Sequence, residues 1–174
     1  NLKQIALGMI MYVQDYDERF PPSHYWNPTR YGYMQFIEPY VNNSQVFDCP
    51  SQSATSYLGY NGTRSYPVNI YLWQDKLADI KEPASIVLAA DGTPNTWMGA
   101  WDLYQPSRGE RPDAKDGSDY STWGGGDTQA WKYFNFCVRH NEMGNVSFVD
   151  GHVKSMRYST LYDGGTNTYF DPSL

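Results

Sequence analysis

The C-terminal part of this sequence contains the run Arg139-His140-Asn141-Glu142-Met143-Gly144-Asn145-Val146-Ser147-Phe148-Val149-Asp150-Gly151-His152-Val153-Lys154. Within it, Asp150-Gly151 lies between two stretches in which apolar and polar residues alternate. An Asp-Gly pair in this setting favours a two-residue type I′ turn, because both central residues of that turn need positive φ. The run therefore predicts a β-hairpin that turns at Asp150 and Gly151, with arms at 146–149 and 152–156.

His140 precedes Asp150 by ten positions. A carboxylate beside a histidine fixes its tautomer and can support acid–base chemistry or a metal. No nucleophile or third ligand is recognisable near the pair, so a structural role is favoured, in which a buried, metal-free His140 hydrogen-bonds across the base of the hairpin. A hydrolase using Glu142, Asp150 and His140 is the alternative, since catalytic carboxylates need only converge in space.

The first residues of the chain have the period of an amphipathic helix. Pro21 and Pro22 cannot continue a helix from an interior position, so the helix is expected to occupy 1–19. A loop is expected at 23–30. The apolar stripe that should face a sheet consists of Leu2, Ile5, Met9, Tyr12 and Val13.

Further along the chain, 31–41 is expected to be a second helix, and 56–61 and 66–72 are expected to be strands around an Asn61-Gly62 turn. The continuous apolar run from Ser85 to Ala90 predicts a central strand buried on both faces. A strand is also expected at 133–138. The polar, glycine-rich segment 93–131 has no sustained period and is interpreted as a long irregular insertion.

The order of elements, a helix first and then a meander of strands, indicates the α+β class. The N-terminal helix should pack on one face of an antiparallel sheet. A length of 174 residues fits one domain over 1–174 better than two.

Composition narrows the classes of partner. The net charge is −6, and no two Lys or Arg residues are adjacent, which argues against a nucleic-acid partner. Charged residues make up only 18% of the chain and aromatic residues 17%, and glycine and proline are abundant. This composition is typical of a loop-rich extracellular protein.

The two cysteines, Cys49 and Cys137, are too far apart in sequence for a zinc knuckle or a C-x-x-C redox motif. A disulfide between them and two buried reduced thiols are both left open.

Two sets of residues in the insertion are further candidates. Three carboxylates around Gly117 offer the oxygen ligands that calcium prefers, although Lys115 opposes a cation and a solvated acidic turn is favoured. Tryptophans on loops can stack on sugars, but a small core that holds the insertion together is favoured. The acidic set is Asp113, Asp116 and Asp119, and the aromatic set is Trp97, Trp101 and Trp123.

Several short motifs occur in the order found in type IV pilin-like proteins. They are the N-terminal helix with Phe20-Pro21-Pro22, then Phe47-Asp48-Cys49-Pro50, then Tyr60-Asn61, then Pro83-Ala84-Ser85 through Asp91-Gly92, and finally His140 with Asp150-Gly151. The chain thus resembles bacterial pseudopilins related to the major pseudopilin of type II secretion, in the group with a C-terminal H-x9-DG pattern. The resemblance covers most of the chain outside 93–131.

The resemblance implies a non-enzymatic filament subunit that is made as a prepilin and anchored in the inner membrane before assembly, with a periplasmic or extracellular headgroup. It implies homo-oligomers, and contacts with other pilin-like subunits, through an apolar helix half that the sequence lacks. The chain is accordingly interpreted as a truncated soluble headgroup without a cofactor. Related pseudopilins hold calcium near the sheet, and a carbohydrate-binding or adhesive surface module is the alternative function.

Overall fold

A computed structural model of the protein describes residues 1–22, 24–27, 29–51, 65–73, 75–92, 102–103, 136–161 and 169–173. The expected strand at 56–61 and nearly all of the expected insertion at 93–131 lie outside these ranges. The helices are α1 Leu2–Asp15, α2 Tyr33–Val41 and α3 Tyr158–Leu161. The strands are β1 His24–Asn27, β2 Thr29–Gly32, β3 Val68–Asn69, β4 Val87–Ala90, β5 Asp102–Leu103, β6 Gly144–Phe148 and β7 Val153–Met156.

The main sheet has the strand order β5-β3-β4-β6-β7. The pairs β3–β4, β4–β6 and β6–β7 are antiparallel, and β5 is parallel to β3 at one edge. All four residues of β4 are buried, and β4 lies at the centre of the sheet, as the continuous apolar run predicts. Together with the N-terminal helix, this sheet confirms the α+β class.

Three expected segments differ from the structure in their strands. The strand expected over 66–72 is cut short after Asn69, because the Asn69 side chain accepts a hydrogen bond from the backbone N–H of Tyr71 and starts a 3₁₀ turn. Of the strand expected at 133–138, the structure describes residues 136–138. These residues form no strand, and Phe136 pairs with Gly92 in an isolated β-bridge. Within the expected loop at 23–30, residues 24–27 and 29–30 instead belong to the antiparallel ribbon of β1 and β2.

The C-terminal hairpin forms where it was predicted, but its turn is of another kind. Ser147 pairs with Val153, and Phe148 N–H donates to the carbonyl of His152 at 3.0 Å. The loop therefore contains three residues, and only Gly151 among them has positive φ, at 87°. The predicted type I′ turn at Asp150-Gly151 is wrong. A three-residue loop that ends in a left-handed glycine replaces it, and Asp150 Oδ1 accepts from the N–H of His152 inside it.

Helix α1 packs on β4, β6 and α2. Its contact side is the predicted apolar stripe, since Leu2, Ile5, Met9, Tyr12 and Val13 are all buried. The helix ends at Asp15, earlier than 19, because Asp17 and Glu18 have positive φ and leave the helical region before the prolines are reached. A Cβ on Gly8 would lie 2.6 Å from Val41 Cγ2, so this glycine permits the close approach of α1 and α2.

The opposite face of the sheet has its own core. Val87, Val146 and Phe148 point into it from the strands. The C-terminal part of the chain covers these side chains with Met156, Leu161 and Phe170. None of the helices in the described ranges combines the length and the hydrophobicity of a membrane span.

Candidate functional site

Three side chains with metal-ligand or acid–base chemistry meet beside the end of β4. Cys49 follows the 3₁₀ turn Ser44–Phe47, Asp91 follows β4, and His140 precedes β6. One ligand atom from each side chain lies within 4.8 Å of the other two. His140 Nε2 is 3.4 Å from Asp91 Oδ2 and 3.6 Å from Cys49 Sγ. We call these residues the Cys-Asp-His cluster.

Asp91 is held rigidly, with only 1% of its surface exposed. Its Oδ2 accepts hydrogen bonds from the backbone N–H of Asn145 at 2.6 Å and from Asn145 Nδ2 at 2.9 Å. Its Oδ1 is buried and has no hydrogen-bond partner among the described residues. Burial raises the pKa of Asp91, although Asn145, Arg139 and His140 oppose this effect. The carboxyl group is therefore short of compensating positive charge.

Cys49 is fixed through its backbone, because its N–H donates to Ser65 Oγ at 2.7 Å. The Tyr66 side chain interacts with Cys49. Burial raises the pKa of Tyr66, a hydrogen bond from Asn1 opposes the rise, and the nearby Cys49 and Asp91 add to it. The side chain of Asn1 thus reaches the surroundings of the cluster from the start of α1.

His140 is positioned by a tight turn. Its N–H donates to the Met143 carbonyl at 2.9 Å, and the Met143 N–H donates back at 3.0 Å. The two residues between them, Asn141 and Glu142, have φ of 53° and 62°. Positive φ at both positions is the mark of a type I′ turn. The turn type that the sequence predicts at Asp150-Gly151 occurs here instead, and it leaves the His140 side chain 34% exposed.

Arg139 lies behind the cluster. Its Nη2 donates to the carbonyl of Gly92 at 2.6 Å, whereas its buried Nε and Nη1 have no hydrogen-bond partner in the described part of the chain. Burial alone would lower the pKa of Arg139, but Cys137, Cys49 and Asp91 nearby outweigh burial and raise it. The guanidinium therefore stays charged in the interior, beside two sulfur atoms.

Cys49 and Cys137 are both buried and carry thiols rather than a disulfide. The backbone N–H of Cys137 donates to the carbonyl of Asp91 at 2.9 Å, which places its segment next to the cluster.

A buried His140 that hydrogen-bonds across the base of the hairpin was expected. The side chain is instead 34% exposed, and it contacts Asp91 and Cys49 rather than Asp150. Asp150 Oδ1 contacts His152 Nδ1 at 2.6 Å. The five residues of β6 lie between the His140 turn and the Asp150 loop, a distance of roughly 16 Å at about 3.3 Å per residue. For the same reason, Asp150 does not converge with Glu142 and His140 into the hydrolase site considered from sequence.

The sequence reasoning missed Asp91 and Asn145 as site residues. Asp91-Gly92 was interpreted as a turn pair after a buried strand, and Asn145 has no local signal. The calcium candidates Asp113, Asp116 and Asp119 and the aromatic candidates Trp97, Trp101 and Trp123 lie outside the described residues, and both sets stay predictions.

The cluster can do two kinds of chemistry. A thiol, a carboxylate and an imidazole can bind a metal, or the imidazole can exchange protons with either neighbour. No family model, curated protein or solved structure gives a significant match to this chain.

Proposed function

We propose that the protein is a non-enzymatic structural subunit, the headgroup of a type IV pilus-like or type II secretion-like filament. The observation that carries this proposal is the apolar outer face of α1. Leu7 and Met11 are 46% and 47% exposed, while the opposite side of the same helix is buried in the core.

The spacing of these residues makes them neighbours. Residues four apart lie on the same face of a helix, so Leu7 and Met11 form one patch. Gln4 and Gln14 are also exposed and extend this face with uncharged polar groups. A surface helix normally presents charged residues to water. An exposed apolar strip between uncharged groups favours packing against another protein surface.

The charges of α1 fit the same role. Its sequence contains two charged residues, Lys3 in the first turn and Asp15 at the last position. Lys3 Nζ donates to the carbonyl of Gly151, and Asp15 Oδ2 accepts from Tyr40 Oη, so both are already engaged within the subunit. Lys3 and Asp15 remain exposed, and Leu7 and Met11 lie between them along the helix. This favours a helical filament core made from copies of α1.

The proposal places the protein in the cell envelope, with an inner-membrane anchor before assembly and a headgroup outside the cytoplasm. It requires an apolar segment of about 20 residues upstream of Asn1 in the gene product, the length that spans a bilayer. Sequencing the gene upstream of the Asn1 codon tests this requirement. A prepilin-like cleavage signal followed by an apolar segment supports it, and a charged upstream segment contradicts it.

Assembly itself can be tested with the full-length gene product in its producing cells. Leu7→Ser and Met11→Ser should reduce the amount of this protein in filaments sheared from the cells. Lys154→Ser, on the exposed part of β7, is the matched surface control and should assemble normally. If the two α1 variants fold and still assemble like the wild type, the outer face of α1 is not the subunit contact.

A further inference from the structure

We propose that Cys49, Asp91 and His140 form a zinc-binding site. The assignment is independent of the filament proposal, because the outer face of α1 contributes no residue to the cluster. It starts from the types of ligand. Thiolate and imidazole select borderline metals such as Zn²⁺ over Mg²⁺ and Ca²⁺, which prefer oxygen ligands alone. A cluster with one sulfur, one nitrogen and one oxygen ligand therefore points to zinc.

The geometry of the cluster agrees with a tetrahedral ion. Zinc binds nitrogen at about 2.0 Å and sulfur at about 2.3 Å, so two ligand atoms of a tetrahedral site lie about 3.3 to 3.6 Å apart. The His140 Nε2 to Asp91 Oδ2 distance is 3.4 Å, and the His140 Nε2 to Cys49 Sγ distance is 3.6 Å. The third pair of ligand atoms, Cys49 Sγ and the Asp91 carboxylate oxygen, lies within 4.8 Å.

The groups around the ligands preorganise them. Two hydrogen bonds from Asn145 orient the Asp91 carboxylate, and the Ser65 hydroxyl accepts from the Cys49 backbone. Such supporting contacts keep metal ligands in place and raise affinity. The negative charge of the Asp91 carboxylate is also incompletely compensated, because its Oδ1 is buried without a hydrogen-bond partner among the described residues. A cation bound to this carboxylate supplies the missing positive charge.

Arg139 is the feature that opposes a dication most directly, because its guanidinium lies beside Cys49. Metal binding releases the thiol proton of a cysteine ligand, so Cys49 would hold the ion as its thiolate. Ionised Cys49 and Asp91 together contribute two negative charges, which exceed the single charge of Arg139. The net charge of these three side chains is therefore negative, which favours the binding of a cation.

Among the described residues the cluster offers three protein ligands, and the side chain of one of them, His140, is 34% exposed. Zinc sites with three protein ligands keep a fourth position for water or another small ligand, whereas structural sites are closed by four protein ligands. The proposed ion is thus reachable from solvent, and it should exchange with added zinc and chelators.

The test is a calorimetric titration of purified, metal-stripped protein with Zn²⁺. We expect one Zn²⁺ per chain. Cys49→Ser, Asp91→Asn and His140→Ala should each weaken binding more than tenfold, and Asn145→Ala, which removes a support of Asp91, should weaken it by about 10- to 100-fold. Absence of zinc binding by the folded wild type would overturn the proposal.

Two matched controls separate this site from zinc adsorbed elsewhere. His152→Ala removes the other histidine that contacts a carboxylate, and Cys137→Ser removes the other buried thiol near Arg139. Both variants should bind zinc like the wild type. A loss in His152→Ala, with binding retained in His140→Ala, would overturn the assignment.

Co²⁺ in place of zinc identifies the sulfur ligand. Thiolate-to-cobalt charge-transfer absorption should disappear in Cys49→Ser and persist in Cys137→Ser, and the reverse result would contradict the proposed ligand set. Circular dichroism shows which variants fold. If Cys49→Ser does not fold, the nearly isosteric Asp91→Asn decides, because unchanged zinc affinity in that variant would overturn the proposal.

Discussion

Lys3 Nζ donates a hydrogen bond to the carbonyl oxygen of Gly151 across 2.8 Å, and so joins the first turn of α1 to the tip of the C-terminal hairpin. A Cβ placed on Gly151 would lie 3.0 Å from Ile10 Cδ1, about two turns further along the same helix. The hairpin tip is therefore a contact of α1, although the two segments lie at opposite ends of the sequence.

Gly151→Ala should destabilise the protein by about 1–3 kcal/mol, the usual cost of forcing a residue with a side chain into a left-handed backbone. The φ of Gly151 is +87°, and the added methyl group also presses on Ile10. Chemical denaturation monitored by circular dichroism measures the loss. Gly151→Asn should cost less, because asparagine tolerates positive φ. An alanine variant as stable as the wild type would show that this loop adapts freely.

Glu142→Gly should stabilise the protein by about 0.5–1 kcal/mol. Glu142 has a φ of 62° in the second central position of its turn, where glycine is preferred. Relief of this strain outweighs the greater freedom of glycine in the unfolded chain. Glu142→Ala, which keeps a Cβ, should give no gain in the same denaturation experiment. A loss of stability in the glycine variant would contradict the turn geometry.

The contribution of Asp150 should depend on pH. Hydrogen bonds from the backbone and side chain of His152 outweigh the opposing effect of burial and lower the pKa of Asp150 below its usual 3.8. A lowered carboxyl pKa adds stability above the unfolded-state pKa, and that stability is lost as pH falls through the folded-state value.

Wild type should therefore exceed Asp150→Asn in stability at pH 7, by less than about 1 kcal/mol because Asp150 is exposed to solvent. Asparagine can still accept from the His152 N–H, so the variant isolates the charge. The difference should shrink in denaturation experiments below about pH 4. A difference that stays constant from pH 7 into this acid range would rule out the ionised carboxylate as its source.

The two sides of α1 should respond differently to the same substitution. Met9 is 2% exposed and Met11 is 47% exposed. Met9→Ala should lower the free energy of unfolding by about 2–5 kcal/mol because it opens a cavity, whereas Met11→Ala should change it by less than about 0.5 kcal/mol. Thermal denaturation of the two variants measures this. Equal losses would mean that the outer side of α1 is also part of the core.

Local patterns in the sequence were enough to predict α1, the central strand β4 and the two arms of the hairpin. In each case the buried residues recur at the spacing that is typical of that helix or strand, as Ile5, Met9 and Val13 do on the helix. The turn types were not predictable in the same way. The glycine of Asp150-Gly151 matches the sequence preference of a type I′ turn. That turn forms instead at Asn141-Glu142, and glutamate is not a residue that predicts it.

The Cys-Asp-His cluster was beyond local reasoning. Cys49 and His140 are 91 positions apart, and their meeting depends on how the sheet closes around β4. The spacing of His140 and Asp150 along one hairpin suggested the wrong partner, because residues at opposite ends of a strand do not touch. Asp91 could be recognised as the partner only once the pairing of β4 with β6 was known.

Site-specific photo-crosslinking at Leu7 of the full-length protein, in its producing cells, tests most directly whether the outer face of α1 is the filament contact. The same crosslinker at Lys154 on β7 is the control. We predict a ladder of crosslinked multimers of this chain from Leu7 and little or none from Lys154. Monomer alone from Leu7, or the same ladder from both positions, would contradict the proposed subunit contact.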